Sequence, residues 1–309
     1  MKQIFKQVKN FIFDKQIRFG YLSTLGFYNW IPDDIYLKKE FKVRMGKELN
    51  LNNPQTFNEK IQWLKLYDRH PEYTMMVDKY AAKQYVASKI GDDYIIPTLG
   101  VWTKFDDIDF DKLPNQFVLK CTHDSGGLVI CKDKSTLDIN AAKRKIEHCL
   151  KRKYYYIHRE WPYKNVPPRI IAEKYMTDNA NSSTTNETLK DYKFYCFDGK
   201  VRFLMINSDR NSKMSTKADY FDRDFNWLDF TWGYEHANVR PVKPDCFDEM
   251  ISISEKLSKG LPHVRVDLYE CNGQIYFGEL TFYDGSGFDK IEPIEWDYKI
   301  GKMLKLPSK

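Results

Sequence analysis

The chain has 309 residues, which is enough for about two domains of ordinary size and a sizeable core. Apolar residues make up 42% of the sequence and charged residues 30%, close to the average of folded soluble proteins, so general disorder is excluded. The longest uncharged stretch near the N-terminus, residues 19–32, is fourteen residues long. A membrane-spanning helix needs about 20, so we expect none.

The formal net charge is +6, and the first fifty residues carry ten Lys and Arg against five Asp and Glu. This excess is modest for the whole chain, so we expect no nucleic-acid partner. Six cysteines without a CxxC pair or a zinc-type His spacing indicate reduced thiols and a cytoplasmic location. Lys and Arg interrupt the N-terminus, which argues against a secretory signal there.

A basic amphipathic helix is predicted over residues 2–18. Its apolar positions recur at helical spacing among lysines: Ile4, Phe5, Val8, Phe11 and Ile12. Such a helix could lie on an anionic membrane surface, which would give residues 1–20 a peripheral membrane contact. It could equally pack its apolar stripe on the protein's own body, and both interpretations stay open.

Helices and strands follow in alternation. The capping-box pattern from Thr56 to Glu59 predicts a helix that begins at Thr56, and a second helix is predicted over residues 78–90 with Gly91 as its stop. The next predicted elements are a strand at 117–121, a basic helix at 141–154 and a strand at 170–176. The polar run 177–188 is predicted to be a mobile loop that separates two lobes.

The segment 120–127, KCTHDSGG, follows a predicted strand and ends in two glycines. Glycines let backbone N–H groups approach a phosphate closely, and Lys120 adds positive charge. The segment lacks the P-loop pattern, however, and a lysine before a glycine-rich turn is most often an ordinary strand exit. By itself it is a weak indication of phosphate binding.

A hairpin is predicted around Asp198-Gly199. A two-residue turn pairs residue 197 with 200, 195 with 202 and 193 with 204. One face is then charged and the other apolar: Asp191, Lys193 and Arg202 against Tyr192, Phe194, Val201 and Phe203. A solvated sheet face would look the same, so a structural and a functional interpretation remain.

A second hairpin, residues 264–281, turns at Asn272-Gly273, and its register decides whether Asp267 and Glu279 can meet. A two-residue turn puts these carboxylates on opposite faces. A three-residue loop, 271–273, with a bulge at Gly273 pairs 270 with 274, 267 with 277 and 265 with 279. We predict this second register, because it collects the apolar residues opposite the acids: Val264, Val266, Leu268, Tyr276 and Leu280.

In that register one face carries Arg265, Asp267, Glu279 and Thr281. The two carboxylates become diagonal neighbours and could hold Mg²⁺ between them. The alternative is a structural ion pair between Arg265 and Glu279, with Asp267 in solvent.

In this order the segments resemble the ATP-grasp superfamily and, within it, the TupA-like branch named for teichuronopeptide synthesis. The resemblance covers residues 50–290 and is carried by NPQTFNEKIQW (53–63), DKYAAK (78–83), LKCTHDSGG (119–127), EWPY (160–163), IAEKYM (171–176), DYKF (191–194) and GELTF (278–282). It implies an ATP-grasp fold of the α+β (α/β) class, in which two α+β lobes clamp ATP. The implied divisions are an N-terminal basic helical segment at 1–70, the pre-ATP-grasp region with the smaller lobe at 71–188, and the larger lobe with the metal site at 189–309.

The resemblance also implies a role for individual residues around the nucleotide. Lys79 and Lys120 match the phosphate-contacting lysines. The mobile glycine-rich cover matches His123, Ser125, Gly126 and Gly127, and the adenine hinge matches Glu173, Lys174, Tyr175 and Met176. Asp191 matches the ribose-binding acid and Lys193 a further phosphate contact.

At the metal strand pair, Arg265, Asp267 and Glu279 match the family's Arg-x-Asp and Glu. Thr281 stands where most of the superfamily has an Asn that holds a second Mg²⁺, so we expect at best a hydroxyl or backbone ligand there. The implied catalytic residues are Arg265, Lys120 and Lys193, and the implied cofactors are ATP and Mg²⁺.

The implied reaction is ATP-dependent ligation of a carboxylate to an amine. The carboxylate attacks the γ-phosphate to form an acyl phosphate, and an amine then displaces phosphate, leaving ADP. The expected substrates are a uronic acid and an amine or amino acid, in bacterial capsular or cell-surface polysaccharide biosynthesis. The alternative is a glycosyltransferase that uses a nucleotide sugar, for which we find no Asp-x-Asp motif at a predicted strand end.

Overall fold

The computed structural model describes residues 11–177, 190–208 and 216–308. Most of the predicted N-terminal helix, the loop 178–188 and the predicted lobe boundary at 188–189 lie outside these ranges. Within them the chain forms helices and antiparallel sheets, which confirms the predicted α+β class. None of the helices in these ranges is long and apolar enough to cross a bilayer.

The N-terminal part of the described chain is helical. Its helices are α1 (Lys15–Thr24), α2 (Asp33–Met45), α3 (Phe57–Tyr67), α4 (Glu72–Val77) and α5 (Ala81–Ile90). The predicted helix 2–18 is not continuous, because Asp14 has an extended backbone. Its Oδ1 accepts the N–H groups of Gln16 and Ile17 at 2.8 and 3.0 Å, so a new helix begins at Lys15.

The predicted capping box is confirmed at the start of α3. Thr56 Oγ1 accepts the Glu59 N–H at 3.3 Å, and Glu59 Oε2 accepts the Thr56 N–H at 3.1 Å. The second predicted helix is α5, which begins at Ala81 and stops before Gly91 as predicted.

A four-stranded antiparallel sheet, the smaller sheet, follows these helices. Its strands are β1 (Thr98–Trp102), β2 (Phe117–Cys121), β3 (Leu128–Cys131) and β4 (Ile170–Lys174), in the order β1-β4-β2-β3. Helix α6 (Ile139–Leu150) packs on β2 and β3, because its buried Ala142, Ile146 and Cys149 recur on one face. A short helix, α7 (Tyr155–His158), lies between α6 and β4 in the chain.

A second antiparallel sheet, the larger sheet, has six strands in the described residues. They are β5 (Lys190–Phe197), β6 (Lys200–Ser208), β7 (Lys217–Asp222), β8 (Trp227–Leu228), β10 (His263–Cys271) and β11 (Gln274–Thr281), in the order β11-β10-β5-β6-β7-β8. A short pair is formed by β9 (Thr231–Trp232) and β12 (Ile291–Glu292). Helix α8 (Phe247–Ser258) covers β5, β6 and β10, and helix α9 (Ile294–Met303) packs on α3, so the main core lies between this sheet and the helices.

The β10–β11 hairpin has a different register from the predicted one. Its turn is Asn272-Gly273 alone, with φ angles of 53° and 75°, and Cys271 pairs with Gln274. The predicted three-residue loop with a bulge at Gly273 is therefore wrong.

The extra residue is Gly278, near the other end of the hairpin. Leu268 pairs with Phe277, whereas Asp267 pairs directly with Glu279. This bulge returns the two carboxylates to one face, which a two-residue turn without a bulge would not do. A Cβ on residue 278 would lie 3.0 Å from the backbone oxygen of Asp267, so the bulge favours glycine.

The β5–β6 hairpin turns at Asp198-Gly199 as predicted, and residues 197 and 200 are paired. The pairs predicted farther from this turn are wrong, because Arg202 is an extra residue: Tyr195 pairs with Phe203 and Lys193 with Met205. Arg202 is therefore exposed instead of sharing a face with Lys193, and Phe203 stacks on Tyr195 with ring centres 4.4 Å apart.

Candidate active site

The smaller sheet carries two lysines around one buried carboxylate. Glu173 on β4 lies diagonally across from Lys120 on β2, and Lys83 reaches it from α5. Glu173 Oε2 lies 2.5 Å from Lys120 Nζ, and Oε1 lies 2.5 Å from Lys83 Nζ. Burial alone would raise the pKa of Glu173, but the charges of Lys120 and Lys83 outweigh burial and lower the pKa. The carboxylate therefore stays ionised and holds both ammonium groups in place.

The predicted glycine-rich cover is the tight loop between β2 and β3. Lys79 Nζ donates a hydrogen bond of 2.6 Å to the carbonyl oxygen of Asp124, and the Asp124 carboxylate accepts the Gly127 N–H at 3.2 Å. A Cβ on residue 127 would lie 2.6 Å from Cys121 Sγ, so this loop requires glycine there. Lys79 thus supports the loop with one N–H and has two more for a phosphate.

The other predicted loop residues divide between the core and the surface. Ser125 and Gly126 form the exposed tip of the loop, whereas His123 is 4% exposed. Burial lowers the pKa of His123, so its ring is neutral at pH 7. The predicted contact of His123 with a nucleotide stays a prediction.

The larger sheet carries a buried ionic network. Lys193 Nζ lies 2.7 Å from Asp191 Oδ2 and also pairs with Asp267. Arg265 Nε and Nη2 donate to the two oxygens of Asp267 at 2.6 and 2.8 Å. Burial opposes both charged forms, but the neighbouring opposite charges prevail, lowering the pKa of Asp267 and raising the pKa of Lys193.

Arg265 extends this network to β11 and to the segment after it. Its Nη2 lies 3.2 Å from Glu279 Oε1 and 3.1 Å from Thr281 Oγ1, and its Nη1 pairs with Asp284. Thr281 donates in turn to Glu279 at 3.1 Å. The Glu279 side chain is 43% exposed whereas that of Asp267 is 2% exposed, so Glu279 is the solvent edge of the network. The Arg265–Glu279 ion pair left open above is present, but Asp267 is buried and not in solvent, as that alternative required.

The predicted adenine hinge is the end of β4 and the segment after it. Lys174 is exposed and its backbone N–H donates to the Pro97 carbonyl at 3.0 Å, and Tyr175 and Met176 are half-buried. The next carbonyl, of Thr177, accepts a 3.2 Å hydrogen bond from Asn272 at the β10–β11 turn. The segment therefore connects the smaller sheet to the larger one.

Tyr154, between α6 and α7, lies near the carboxylates of Glu279 in the strand pair and Asp124 in the glycine-rich loop. The charge of Glu160, then burial, then the charges of Glu279 and Asp124 raise its pKa. Its ring lies 4.8 Å from that of Tyr163, edge to face. Tyr154 is therefore an uncharged hydroxyl beside both the glycine-rich loop and the strand pair.

The carboxylate and hydroxyl oxygens beside Arg265 are of the ligand type that Mg²⁺ prefers. Mg²⁺ prefers oxygen ligands and is usually held by one or two carboxylates together with substrate phosphates. Asp267 and Glu279 are directly opposed partners, and Thr281 adds a hydroxyl. In the described part of the chain no three His, Cys, Asp or Glu side chains are grouped to hold a metal ion. The remaining ligands would therefore have to be phosphate oxygens and water.

Sequence reasoning missed Lys83, Asp284 and Tyr154. Lys83 had a usable signal, since it lies four residues after Lys79 in a stretch that carried the resemblance. Asp284 follows the last strand of the hairpin, where the alternation of faces ends, and Tyr154 lies in a helix connection. No periodic pattern marks either residue.

A family model described as TupA-like ATPgrasp matches residues 59–305. The comparison with curated proteins gives no match. Among solved structures, the D-alanine–D-alanine ligase from Bacillus anthracis complexed with ATP is 18% identical, over 67% of this chain and 55% of that chain, with a TM-score of 0.41. The D-alanine–D-alanine ligase from Helicobacter pylori is 13% identical, over 81% and 69%, with a TM-score of 0.43. The ATP-grasp ligase PsnB complexed with minimal precursor, Mg and ADP is 9% identical, over 73% and 57%, with a TM-score of 0.39.

The chain matches little more than half the length of the first of these ligases. The family model is different, because it extends over most of the chain, including both clusters described above. The predicted resemblance is confirmed: the chain belongs to the TupA-like ATP-grasp family and has an ATP-grasp fold.

Proposed function

We propose that the protein is an ATP-dependent carboxylate–amine ligase that forms an amide through an acyl phosphate and releases ADP. The observation that carries this proposal is the contrast between the two clusters. Lysines surround Glu173 beside a glycine-rich loop, whereas carboxylates surround Arg265 on the β10–β11 pair. The first suits the phosphates of ATP, and the second suits a divalent cation bound to those phosphates.

The chain's own cations would perform most of the electrostatic work. Phosphoryl transfer is catalysed mainly by positioning and charge neutralisation, which Lys79, Lys120 and Lys193 would supply at the phosphates. Arg265 would stabilise the acyl phosphate and the oxyanion that follows amine attack. Its contacts with Asp267 and Asp284 fix the guanidinium in advance, so little reorganisation is needed during the reaction.

Asp267 and Glu279, with Thr281, would hold Mg²⁺, which supplies further neutralisation of phosphate charge when bound. On the nucleoside side, Glu173, Lys174, Tyr175 and Met176 would contact adenine and Asp191 the ribose. Both oxygens of Glu173 already pair with lysines, so a contact with the adenine amino group would use a remaining lone pair.

For the substrates, we propose a uronic acid and an amine or amino acid, used in bacterial capsular or cell-surface polysaccharide synthesis on the cytoplasmic side of the membrane. The family's association with teichuronopeptide synthesis supports this choice. Five Lys and Arg against a single acidic residue in residues 1–20 support a peripheral contact of this segment with an anionic membrane.

The decisive experiment measures ADP release with Mg²⁺ while uronic acids and amino acids are screened in pairs. We expect release that requires both substrates, and Glu279→Gln should lower kcat by about 10²-fold or more while the circular dichroism spectrum is unchanged. Glu295→Gln, at an exposed position on α9, is the matched control and should keep full activity. Formation of AMP, or equal turnover by both variants, would refute the proposal.

The glycosyltransferase alternative can be examined at one motif. Contrary to the expectation from the sequence, an Asp-x-Asp motif stands at a strand end, because Asp222 ends β7 and Asp224 follows in the turn. The Asp222 carboxylate is occupied within that turn, where it accepts the N–H groups of Asp224 and Asn226 at 2.9 and 2.8 Å. Thermal-shift assays with ATP and with UDP-sugars separate the two activities. Stabilisation by UDP-sugars alone would favour the alternative.

A further inference from the structure

A concave site lies outside the two clusters, between α1 and the end of α6. Its cavity has a volume of about 290 Å³. One wall is the end of α1 and the turn after it, and the other is the last turn of α6 with the three residues that follow. The lining residues used below are Thr24, Asn29, His148, Lys151, Arg152 and Lys153.

The cavity is strongly basic. Three full cations, Lys151, Arg152 and Lys153, line it together with His148, and none of the acidic residues that the structure describes lines it. Within the described ranges, Lys151 and Lys153 have no ion-pair partner. Cations near the C-terminus of a helix interact favourably with the helix dipole. That interaction alone does not explain why these cations line a cavity with a second polar wall. Thr24 and Asn29 add neutral polar groups from the opposite wall.

Arg152 connects this cavity to the glycine-rich loop. Its Nη1 lies 3.5 Å from the carbonyl oxygen of Ser125 and 3.7 Å from Asp124 Oδ2. Arg152 therefore links the wall of the cavity to the loop that the proposed function places over the phosphates of ATP. Leu25, which lines the cavity, is 56% exposed, and Phe27 and Trp30, which follow the lining residues Gly26 and Asn29 in the sequence, are 61% and 81% exposed.

We propose that this cavity binds a phosphate or diphosphate group carried by the acceptor substrate, at a distance from the group that reacts. This inference rests on the proposed ligase function, since it names a chemical class for one of the substrates. Three cations with neutral donors match a polyvalent anion better than the single charge of a carboxylate. The phosphate could belong to a soluble sugar phosphate or to a lipid that the exposed apolar side chains of Leu25, Phe27 and Trp30 would contact.

The test is calorimetric titration with inorganic pyrophosphate in a buffer containing EDTA. Lys151→Ala/Lys153→Ala should bind pyrophosphate about tenfold or more weakly than the unaltered protein. The matched control, Arg144→Ala/Lys145→Ala, removes two exposed cations of α6 that do not line the cavity, and it should bind like the unaltered protein. Equal affinity of all three proteins, or no binding, would overturn the inference.

Binding of ATP with Mg²⁺ is measured on the same three proteins and should be equal. If none of the three proteins binds ATP, the ligase function is contradicted. If all three bind ATP but have the same affinity for pyrophosphate, only the proposed phosphate site in the cavity is contradicted. Sedimentation with vesicles of phosphatidic acid, compared with phosphatidylcholine, identifies the source. If Lys151→Ala/Lys153→Ala and Trp30→Ser both weaken co-sedimentation with phosphatidic acid, the phosphate belongs to a lipid. If the protein binds pyrophosphate but neither change weakens co-sedimentation, the phosphate belongs to a soluble substrate.

Discussion

The two charged clusters of this protein are built in opposite ways. In the smaller sheet, Lys83 and Lys120 share a single carboxylate, Glu173, which leaves a formal net charge of +1. In the larger sheet, two cations meet four carboxylates, a formal net charge of −2: Lys193 and Arg265 with Asp191, Asp267, Glu279 and Asp284. In the first cluster both cations depend on the same carboxylate, whereas in the second each cation pairs with more than one carboxylate.

This difference matters for both stability and function. If Glu173 is removed, both lysines lose their only carboxylate partner among the described residues. If Asp267 is removed, Lys193 keeps Asp191 and Arg265 keeps two other carboxylates. An excess of cations suits phosphate binding, and an excess of carboxylates suits a metal ion, so the same contrast separates the two binding tasks.

The largest expected effect tests the single anchor. Glu173→Ala leaves two poorly exposed cations without compensation and should lower the free energy of unfolding by about 3 kcal/mol. Asp267→Ala should cost about half as much, because each of its cations retains a partner. Urea denaturation without nucleotide or metal measures both, and a larger cost for Asp267→Ala would contradict the comparison.

The buried histidines of the two regions should contribute differently to the loss of stability at acid pH. Burial lowers the pKa of His263, on β10, to about 4, and its Nδ1 lies 2.9 Å from the Cys196 carbonyl oxygen. The unfolded chain binds this proton near pH 6.5 and the folded chain only near pH 4, so stability falls as the pH is lowered between these values. From pH 7 to pH 4 this loss is about 3 kcal/mol.

Comparison of variants isolates this contribution. Chemical denaturation at pH 7 and pH 4 should show the acid loss reduced in His263→Phe, which keeps a buried ring but cannot be protonated. His123→Phe, in the smaller-sheet loop, should change the acid loss less, because the pKa of His263 is lowered by more than that of His123. An unchanged acid response in His263→Phe would contradict the assignment.

The smallest expected effect concerns the bulge that aligns the carboxylates. Gly278→Ala places a Cβ 2.9 Å from Tyr269 Cε2 and 3.0 Å from the Asp267 oxygen and should cost about 1–3 kcal/mol. Because the bulge sets the direction of the Glu279 side chain, the rate of ADP release should fall by more than the loss of folded protein alone would cause. Gly260→Ala is the control, since its added Cβ has open space, although its φ of 82° adds backbone strain. Full activity in Gly278→Ala would show that the bulge does not position Glu279.

Much of the architecture was predictable because it depends on short-range chemistry. The Thr56–Glu59 capping box involves atoms three residues apart, so the sequence contains the whole interaction. The turns at Asp198-Gly199 and Asn272-Gly273 are equally local. The order of the motifs was sufficient for the family, although no single motif was.

Only the tertiary structure decided the registers and the partners. Alternation of faces along β10 and β11 cannot reveal whether an extra residue lies at Gly273 or at Gly278, because both put Asp267 and Glu279 on one side. The joining of Lys83 and Lys120 through Glu173 depends on a helix packing against a sheet formed later in the chain. The sequence therefore determined which charged groups the protein has, and long-range packing determined which of them neutralise each other and which remain available to ligands.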